Sequence, residues 1–240
     1  MIFGNRNSHL TTPVHLRIEN VELERVYENT FLGVLIDHNL SWKQQVNQVR
    51  SKISRSIGVL SKVRHLLNCK SMNILYCSLI LPYLSYCVEI WGNACKTTLK
   101  PICTIQKRAM RLVNNVGFLD HTNSLFIKLK ALKFMDLVDQ KTALILFKAR
   151  INMLPPNIQR LFKEREGGYA LRGELNWKQN SHNTTMKSRC ISVGGVRLWN
   201  ALPINLKHCR NVASFKKAYK EWTIGKYRLK KIMLYAWVYL

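Results

Sequence analysis

The first forty residues alternate apolar and polar side chains in a way that predicts β structure. The chain opens with the short apolar run Met1–Gly4, and in "VHLRIENVELERV" apolar residues take alternate positions on both sides of a turn at Glu19-Asn20. Phe31–Ile36 is more continuously apolar, which predicts a central strand. Because so little sequence precedes this strand, we expect it to lie at the edge of a sheet whose remainder is absent.

The hydrophobic period changes after Trp42, where one long helix is predicted. Ser41 stands where a helix N-cap is favoured, and apolar residues then recur at steps of three and four. This stripe comprises Val46, Val49, Ile53, Ile57, Leu60, Val63 and Leu67. It covers about seven turns, with Arg55 and Lys62 opposite the stripe and Lys43 and Lys52 towards its flanks.

Helical periods continue through the middle of the chain, and shorter elements follow. They cover 71–81, 82–91, 99–115 and 134–151. Pro155-Pro156 ends this helical run, and a polar stretch that includes Gly167-Gly168 predicts a long loop. In "SRCISVGGVRLWNALP" we predict a short strand, a Gly-Gly turn and a helix that starts near Trp199. A further helix is predicted after Ser214 as its N-cap.

These elements predict a mainly α fold with a small N-terminal antiparallel β part, a helical bundle and a small α/β tail. The expected parts are a β segment at 1–40, a helical domain at 41–165, a linker or loop at 166–188, a small C-terminal module at 189–225 and a tail at 226–240. The last residues, "KKIMLYAWVYL", follow no pattern that predicts a packing partner. Such a stretch is typical of an extension rather than of a packed element.

The charge of the chain indicates a polyanionic partner. There are 38 Lys and Arg against 13 Asp and Glu, a formal net charge of +25, and the excess is spread along the sequence. A field of this sign favours RNA or DNA, with an anionic membrane surface as the weaker alternative. No acidic residue occurs from His38 to Val88. A solvated Lys/Arg face is the structural alternative for one helix, but the length of the acid-free run favours phosphate binding.

Cysteine usage argues against a metal site and against secretion. The seven cysteines form no C-x-x-C pair and no Cys/His knuckle, which zinc ligation needs, and their number is odd. Free thiols in a reducing compartment are therefore expected. The start "MIFGNRNSHL" lacks the apolar core of a signal peptide. We expect an intracellular protein, in the nucleus or cytoplasm.

One segment is long and apolar enough to suggest a membrane span. Met72–Gly92 carries a single charge, Glu89, over a length that could cross a bilayer. Pro82 interrupts it, however, and several of its residues are polar. Two short, largely buried helices that meet at Pro82 explain the segment better, and membrane insertion is the less favoured alternative.

No arrangement of residues in the sequence predicts a catalytic centre. Metal-dependent phosphoryl transfer needs converging carboxylates, and the chain contains no Asp-Asp pair. Asp136 and Asp139 lie one helical turn apart, but Lys133 and Lys141 flank them, so a surface ion-pair cluster is favoured. No Gly-rich phosphate loop is present, and no small-molecule substrate is indicated.

Several segments, in order, resemble reverse transcriptases of non-long-terminal-repeat retrotransposons, the jockey-like group. "FLGVLIDHNLSW", Phe31–Trp42, is similar to the segment that closes the palm of these RNA-directed DNA polymerases, and "MIFG" to the strand after their catalytic hairpin. "ILPYLSYCVEIWG" and "IQKRAMRLV" resemble their thumb, and "LWNALP" with "FKKAYKEW" resembles the tail of the polyproteins. The resemblance extends to about Trp222 and implies a palm edge, a thumb and a tail.

This resemblance implies roles for one set of residues, and helix geometry suggests another. The primer-grip-like residues implied near the primer 3′ end are Phe31, Leu32 and Gly33. From helix geometry alone, the residues expected to contact the template-primer backbone, an RNA–DNA hybrid, are Lys43, Arg50, Arg55 and Lys62.

The catalytic parts of the family have no counterpart in these segments. Its Asp pair, which would bind Mg²⁺, would lie upstream of Met1, as would the fingers and the nicking endonuclease. No cofactor and no polymerisation are therefore expected of this chain alone. The alternative is a non-enzymatic, basic helical protein that binds RNA or DNA in its own right.

Overall fold

The computed structural model describes residues 16–165 and 175–236, together with Met1 and Phe3, and side chains of the last helix as far as 229. The described part is mainly helical with two small antiparallel hairpins, which confirms the predicted fold class. The expected Met1–Gly4 strand lies largely outside the described residues, as do Val14 and the Gly167-Gly168 loop.

Two hairpins form the β part. The first pairs β1, Arg17–Ile18, with β2, Val21–Glu22, around the predicted turn at Glu19-Asn20. The second pairs β3, Glu28–Phe31, with β4, Val34–Asp37. The prediction of one continuous strand at Phe31–Ile36 is therefore wrong, because the backbone reverses at Leu32-Gly33.

The helical part begins with α1, which follows the predicted stripe from Val46 to Val63 but ends before Leu67, so that the last predicted residue of the stripe lies outside the helix and is exposed. The helices of its first half are α1 Lys43–Val63, α2 Cys69–Leu79, α3 Leu81–Ser85, α4 Val88–Trp91, α5 Lys96–Val113, α6 Asn123–Lys128 and α7 Phe134–Arg150. After these come α8 Pro156–Gln159, α9 Thr185–Arg189, a π-helical turn Ile191–Gly195, α10 Val196–Asn200, α11 Ile204–Lys207 and α12 Val212–Ala236.

The apolar segment Met72–Gly92 is divided among α2, α3 and α4. Pro82 lies in the first turn of α3, where a missing N–H costs nothing, so the first break falls at Ile80, close to the prediction. A second break follows at Cys87, whose φ is 46°. The segment is less buried than expected, since Ile74 and Ile90 are exposed. No helix in the described part of the chain has the length and apolar character that crossing a membrane requires.

A first hydrophobic core lies between α1, α2, α4, α5 and the start of α7. Trp91 is fully buried there and stacks on Phe134 with ring centroids 5.5 Å apart. The buried amide of Gln106 donates to the carbonyl of Leu132 and to the Tyr76 hydroxyl, and it accepts the N–H of Phe134 at 2.7 Å. This side chain therefore satisfies a free N–H at the start of α7, deep in the core.

A second, aromatic core lies between the end of α7, α10, α11 and the start of α12. Phe147, Trp199 and Phe215 contact one another there, with the Phe147 and Phe215 rings stacked at 4.6 Å. The motif "LWNALP" belongs to this core. The Trp199 indole donates to the carbonyl of Leu175, and the Asn200 amide pairs with both the N–H and the carbonyl of Trp177.

Two predictions in this region are wrong. The short strand expected in "SRCISVGG" is the π-helical turn Ile191–Gly195, and a Cβ on Gly195 would lie 2.9 Å from Ile191 and 3.1 Å from Leu146. This glycine is needed for close packing on α7 rather than for a turn. The cap of α12 is Asn211 rather than Ser214, because the Asn211 side chain accepts the N–H of Ser214 at 2.8 Å.

Candidate nucleic-acid interface

The four cations expected to contact nucleic acid all lie on the exposed face of α1. Lys43, Arg50, Arg55 and Lys62 are each exposed, and the opposite face of the helix is buried in the first core. Lys52, the second cation predicted at the flank of the stripe, is half-buried and its Nζ lies 5.8 Å from the centre of the Tyr83 ring. The outward charge of α1 therefore rests on the four expected residues.

These cations form two edges with small residues between them. Lys43 and Arg50 are two turns apart on one side of the exposed face, and Arg55 and Lys62 are two turns apart on the other. The strip between the edges consists of Asn47, Ser51, Ser54, Gly58 and Ser61. Part of it, between Arg50 and Arg55, forms an open depression. A sugar-phosphate chain can approach such a strip closely.

Gly58 is the most informative residue of this strip. It stands in the interior of α1, where glycine costs about 1 kcal/mol relative to alanine. Nothing lies within 4 Å of the position that a Cβ would take. Packing inside the protein therefore gives no reason for the absence of a side chain.

Among the residues that the structure describes, neighbouring carboxylates do not neutralise the charge of this face. None of these carboxylates lies within salt-bridge distance of the four cations of α1. The nearest acidic residues along the sequence, Asp37 and Glu89, are engaged elsewhere. Asp37 accepts hydrogen bonds at the start of the helix, and Glu89 pairs with Lys141 at 3.5 Å.

Asp37 holds the residues that lead into α1. Its carboxylate accepts the N–H groups of Asn39, Ser41 and Trp42 and the hydroxyl of Ser41. Burial by itself would raise the pKa of Asp37, but these hydrogen bonds outweigh it and the pKa lies below its usual value. The predicted cap, Ser41, contributes a long contact of 3.4 Å to the N–H of Lys43, so the capping is shared rather than carried by Ser41 alone.

The primer-grip-like residues lie at the tip of the β3–β4 hairpin. Leu32 and Gly33 form its two-residue turn, with φ values of 47° and 75°. Both values are positive, as a type I′ turn requires, and a leucine pays about 1–2 kcal/mol for this conformation where asparagine would not. Phe31 and Leu32 are nonetheless 65% and 74% exposed. The tip thus presents two apolar side chains at a cost in local stability.

The hairpin is attached to the helix that carries the cations. The N–H of Leu35 donates to the buried Gln45 side chain of α1 at 2.9 Å, and Asp37 links the end of β4 to the first residues before the helix. The hairpin that carries the apolar tip is therefore hydrogen-bonded directly to the helix that carries the cationic face and to the residues just before it. Whether each of these residues contacts nucleic acid stays a prediction.

A second basic stripe on α5 was not among the predicted site residues. Its exposed or half-exposed members are Lys96, Lys100, Lys107, Arg108 and Arg111. The signal was available in the sequence, because residues 90–119 contain no Asp or Glu and these cations recur at helical spacing. Arg111 also donates to the carbonyl of Asp120, which fixes the loop after the helix.

The Asp136–Asp139 pair differs in detail from the predicted ion-pair cluster. Asp136 accepts a short hydrogen bond from the Tyr227 hydroxyl, and Lys141 pairs with Glu89 instead. Burial, followed by the charge of Asp136, raises the pKa of Asp139 to about 6. Within the described ranges, no three His, Cys, Asp or Glu side chains are close enough together to hold a metal ion.

Comparison with known proteins points to transposon polymerases. The chain is 26% identical over 136 residues to the probable RNA-directed DNA polymerase from transposon X-element of Drosophila melanogaster, which covers 55% of this chain and 15% of that protein. It is 29% identical over 117 residues to the probable RNA-directed DNA polymerase from transposon BS of the same species, covering 46% and 12%.

A third relative is the RNA-directed DNA polymerase from mobile element jockey of Drosophila funebris, at 24% identity over 118 residues, 48% of this chain and 13% of that protein. The matched part is thus about one seventh of the length of these relatives. No family model and no solved structure matches the chain. The resemblance to jockey-like retrotransposon polymerases, first read from the motifs, is confirmed by these relatives.

Proposed function

We propose that this chain is a nucleic-acid-holding part of a retrotransposon RNA-directed DNA polymerase, which binds a template-primer duplex on the exposed face of α1. The observation that carries the proposal is the set of four exposed cations on that face, without a neutralising carboxylate among the described residues. Its similarity to three transposon polymerases supports nucleic acid as the partner.

The geometry of α1 favours a duplex over a single strand. Phosphate contacts fix the position of a protein on nucleic acid, and two edges of cations separated by small residues fit the backbone of a rigid helix better than a flexible chain. Few exposed aromatic side chains accompany these cations, whereas single-strand binding depends on stacking. An RNA–DNA hybrid is the duplex that a reverse transcriptase holds.

The same proposal assigns no polymerase chemistry to this chain. Phosphoryl transfer by two metal ions needs carboxylates that converge on two ions about 4 Å apart, and the sequence has no Asp-Asp pair to supply them. Phe31, Leu32 and Gly33 instead meet the primer terminus, and the cations of α1 hold the backbone behind it. Nucleotide incorporation by the purified chain would contradict this part.

A binding protein that acts in its own right is the second candidate. The basic stripe on α5 favours it, because a second cationic surface adds affinity for any polyanion. The two functions differ in preference: a template-primer holder binds a recessed hybrid more tightly than single strands of equal length, whereas a general binder does not discriminate.

The test compares two double charge reversals in the full chain. Arg55→Glu with Lys62→Glu changes the face of α1, and Lys216→Glu with Lys217→Glu makes the same change in charge on exposed positions of α12. Binding of a fluorescent RNA–DNA hybrid is measured from 50 to 200 mM salt. Circular dichroism and thermal unfolding check that both variants fold.

We expect the wild-type affinity to fall about 100-fold over this range, the loss that four phosphate contacts imply. The α1 variant should bind more weakly at low salt and lose only about tenfold, since two contacts remain. The α12 variant should behave like the wild type. Equal effects of the two variants would show that net charge, not the α1 face, carries the binding.

A further inference from the structure

Tyr86 reaches from the helical part of the chain to the tip of the β3–β4 hairpin. Its hydroxyl donates to the carbonyl of Leu32 at 2.6 Å, although the two residues are far apart in sequence. Its ring also lies against the turn, since a Cβ on Gly33 would be 3.8 Å from Cε1 of Tyr86. The side chain is 52% exposed, so burial of the ring does not account for its placement.

The backbone of Tyr86 is held firmly in the space between α3 and α4. Its N–H donates to the carbonyl of Pro82 at 2.9 Å, and its own carbonyl accepts the indole N–H of Trp91 at 2.9 Å. The next residue, Cys87, has a φ of 46°, which reverses the chain at this point. Tyr86 therefore projects from a fixed point of the first core.

Close packing behind this point explains two further residues of "YCVEIWG". Trp91 is fully buried and stacks on Phe134 of α7. A Cβ on Gly92 would lie 2.4 Å from the carbonyl oxygen of Val88 and 2.8 Å from the side chain of Val138, so no larger residue fits. A chain of contacts thus connects α7 with the hairpin tip: Trp91 stacks on Phe134 of α7 and donates to the carbonyl of Tyr86, and the Tyr86 hydroxyl donates to Leu32.

We propose that Tyr86 is a positioning residue that holds the tip of the hairpin, with its exposed Phe31 and Leu32, at a fixed place relative to α1. A two-stranded hairpin is marginally stable by itself. Among the described residues, Gln45 holds the middle of β4 at Leu35 and Asp37 holds its base, whereas the hydrogen bond from Tyr86 reaches the turn itself. With Tyr86 in place, the tip and the cationic face act as one rigid unit. That Tyr86 holds the tip does not depend on the proposed function. That the held tip contacts the primer end rests on the proposed function.

The structural part is tested by Tyr86→Phe, with Tyr83→Phe as the matched control. Both tyrosines are partly exposed and lie one turn apart, but among the described residues the Tyr83 hydroxyl has no hydrogen-bond partner. Amide hydrogen exchange of the free chain is measured for residues 30–35 and for α1. We expect exchange in the hairpin tip to become about fivefold faster in Tyr86→Phe, with α1 unchanged and Tyr83→Phe like the wild type.

The consequence for function is tested with an RNA–DNA hybrid that carries 2-aminopurine as the 3′-terminal base of the primer. The fluorescence change on binding reports contact with the tip. Tyr86→Phe should bind the hybrid within twofold of the wild-type affinity, because the cations of α1 are untouched, and should lose at least half of the fluorescence change. Tyr83→Phe should keep all of it.

The two measurements separate failure of this inference from failure of the proposed function. Equal exchange rates in the two variants would overturn the positioning role of Tyr86, whatever the hybrid does. Faster exchange in Tyr86→Phe with a full fluorescence change would show that the tip needs no fixed position. If the wild-type chain binds no hybrid at low salt, the proposed function fails, and the exchange rates alone decide whether Tyr86 holds the tip.

Discussion

At the scale of single residues, Asp37 shows how much one side chain does at the boundary of strand and helix. It is 6% exposed and its carboxylate accepts four hydrogen bonds, three of them from backbone N–H groups of the residues that lead into α1. Trp42, directly before α1, has a φ of 62°, a conformation that needs such support. Asp37 thereby fixes the angle at which α1 leaves the hairpin.

Asp37→Asn should destabilise the chain by about 1–3 kcal/mol at pH 7, because an amide oxygen cannot accept all four bonds and its NH₂ group faces donors. The pKa of Asp37 is lowered in the folded state, so its contribution is present above pH ~4, the unfolded value, and is lost as pH falls through the lower folded pKa. Thermal unfolding at pH 7 and at pH 3 checks this. An equal loss of stability at both pH values would contradict it.

At the scale of elements, α1 combines a well-packed face with an outward face that lacks bulk. The buried side follows the predicted stripe, and the outward side places small residues between two edges of cations. Serine and glycine are poorer helix formers than the residues usually found on exposed helical faces. The helix therefore gives up some stability along the strip that the proposed duplex would approach.

Gly58→Ala should stabilise the chain by about 1 kcal/mol with little change in hybrid affinity, since a methyl group is small. Gly58→Gln should stabilise the helix similarly but weaken binding several-fold, because its long side chain blocks the strip. Gly225 of α12 also has nothing within 4 Å of a Cβ position, so Gly225→Gln is the control for helix stability. Unfolding and hybrid titrations on all three variants are compared. Unchanged affinity in Gly58→Gln would mean that the duplex does not approach the strip closely.

At the scale of the whole molecule, α7 and α12 take part in both hydrophobic cores. α7 contributes Leu137 and Val138 to the first core and Phe147 to the second. α12 contributes Phe215 to the second core and Tyr227 to the first. The two cores are therefore coupled through continuous helices, although sequence patterns predicted separate parts at 41–165 and 189–225. The division of the chain into separate domains at 41–165 and 189–225 stays a prediction.

Asp139 lies on α7 at the junction of the two cores, near Tyr219 of α12, whose pKa is raised by burial and by the charges of Asp139 and Asp136. The pKa of Asp139 itself is raised to about 6 in the folded chain, above its unfolded value, so ionisation opposes folding. The free-energy cost of ionising Asp139 in the folded chain is absent below pH ~4 and grows as the pH rises to about 6.

Asp139→Asn should therefore raise the free energy of unfolding by up to about 3 kcal/mol at pH 7.5, and the gain should disappear near pH 4. Chemical denaturation across this pH range measures the difference. Glu221→Gln removes the charge of an exposed carboxylate on α12 and is the control for net charge. A gain that is independent of pH would show that ionisation of Asp139 is not its cause.

The sequence by itself determined the helices and the character of their surfaces. The period of apolar residues gave α1, α5 and α7 to within a few residues, and the same period assigned Arg55 and Lys62 to the exposed side. The motifs also indicated the resemblance to transposon polymerases, which three relatives confirm. Periodicity succeeds here because the buried side of a long helix is a local property of its sequence.

Only the tertiary structure decided how distant segments meet. It split Phe31–Ile36 into two strands at Leu32-Gly33, a turn that leucine does not predict, and it brought Tyr86 to that turn. It also joined the two cores through α7 and α12. Contacts of this kind depend on the packing of whole elements against one another, and no local pattern of apolar and polar residues specifies them.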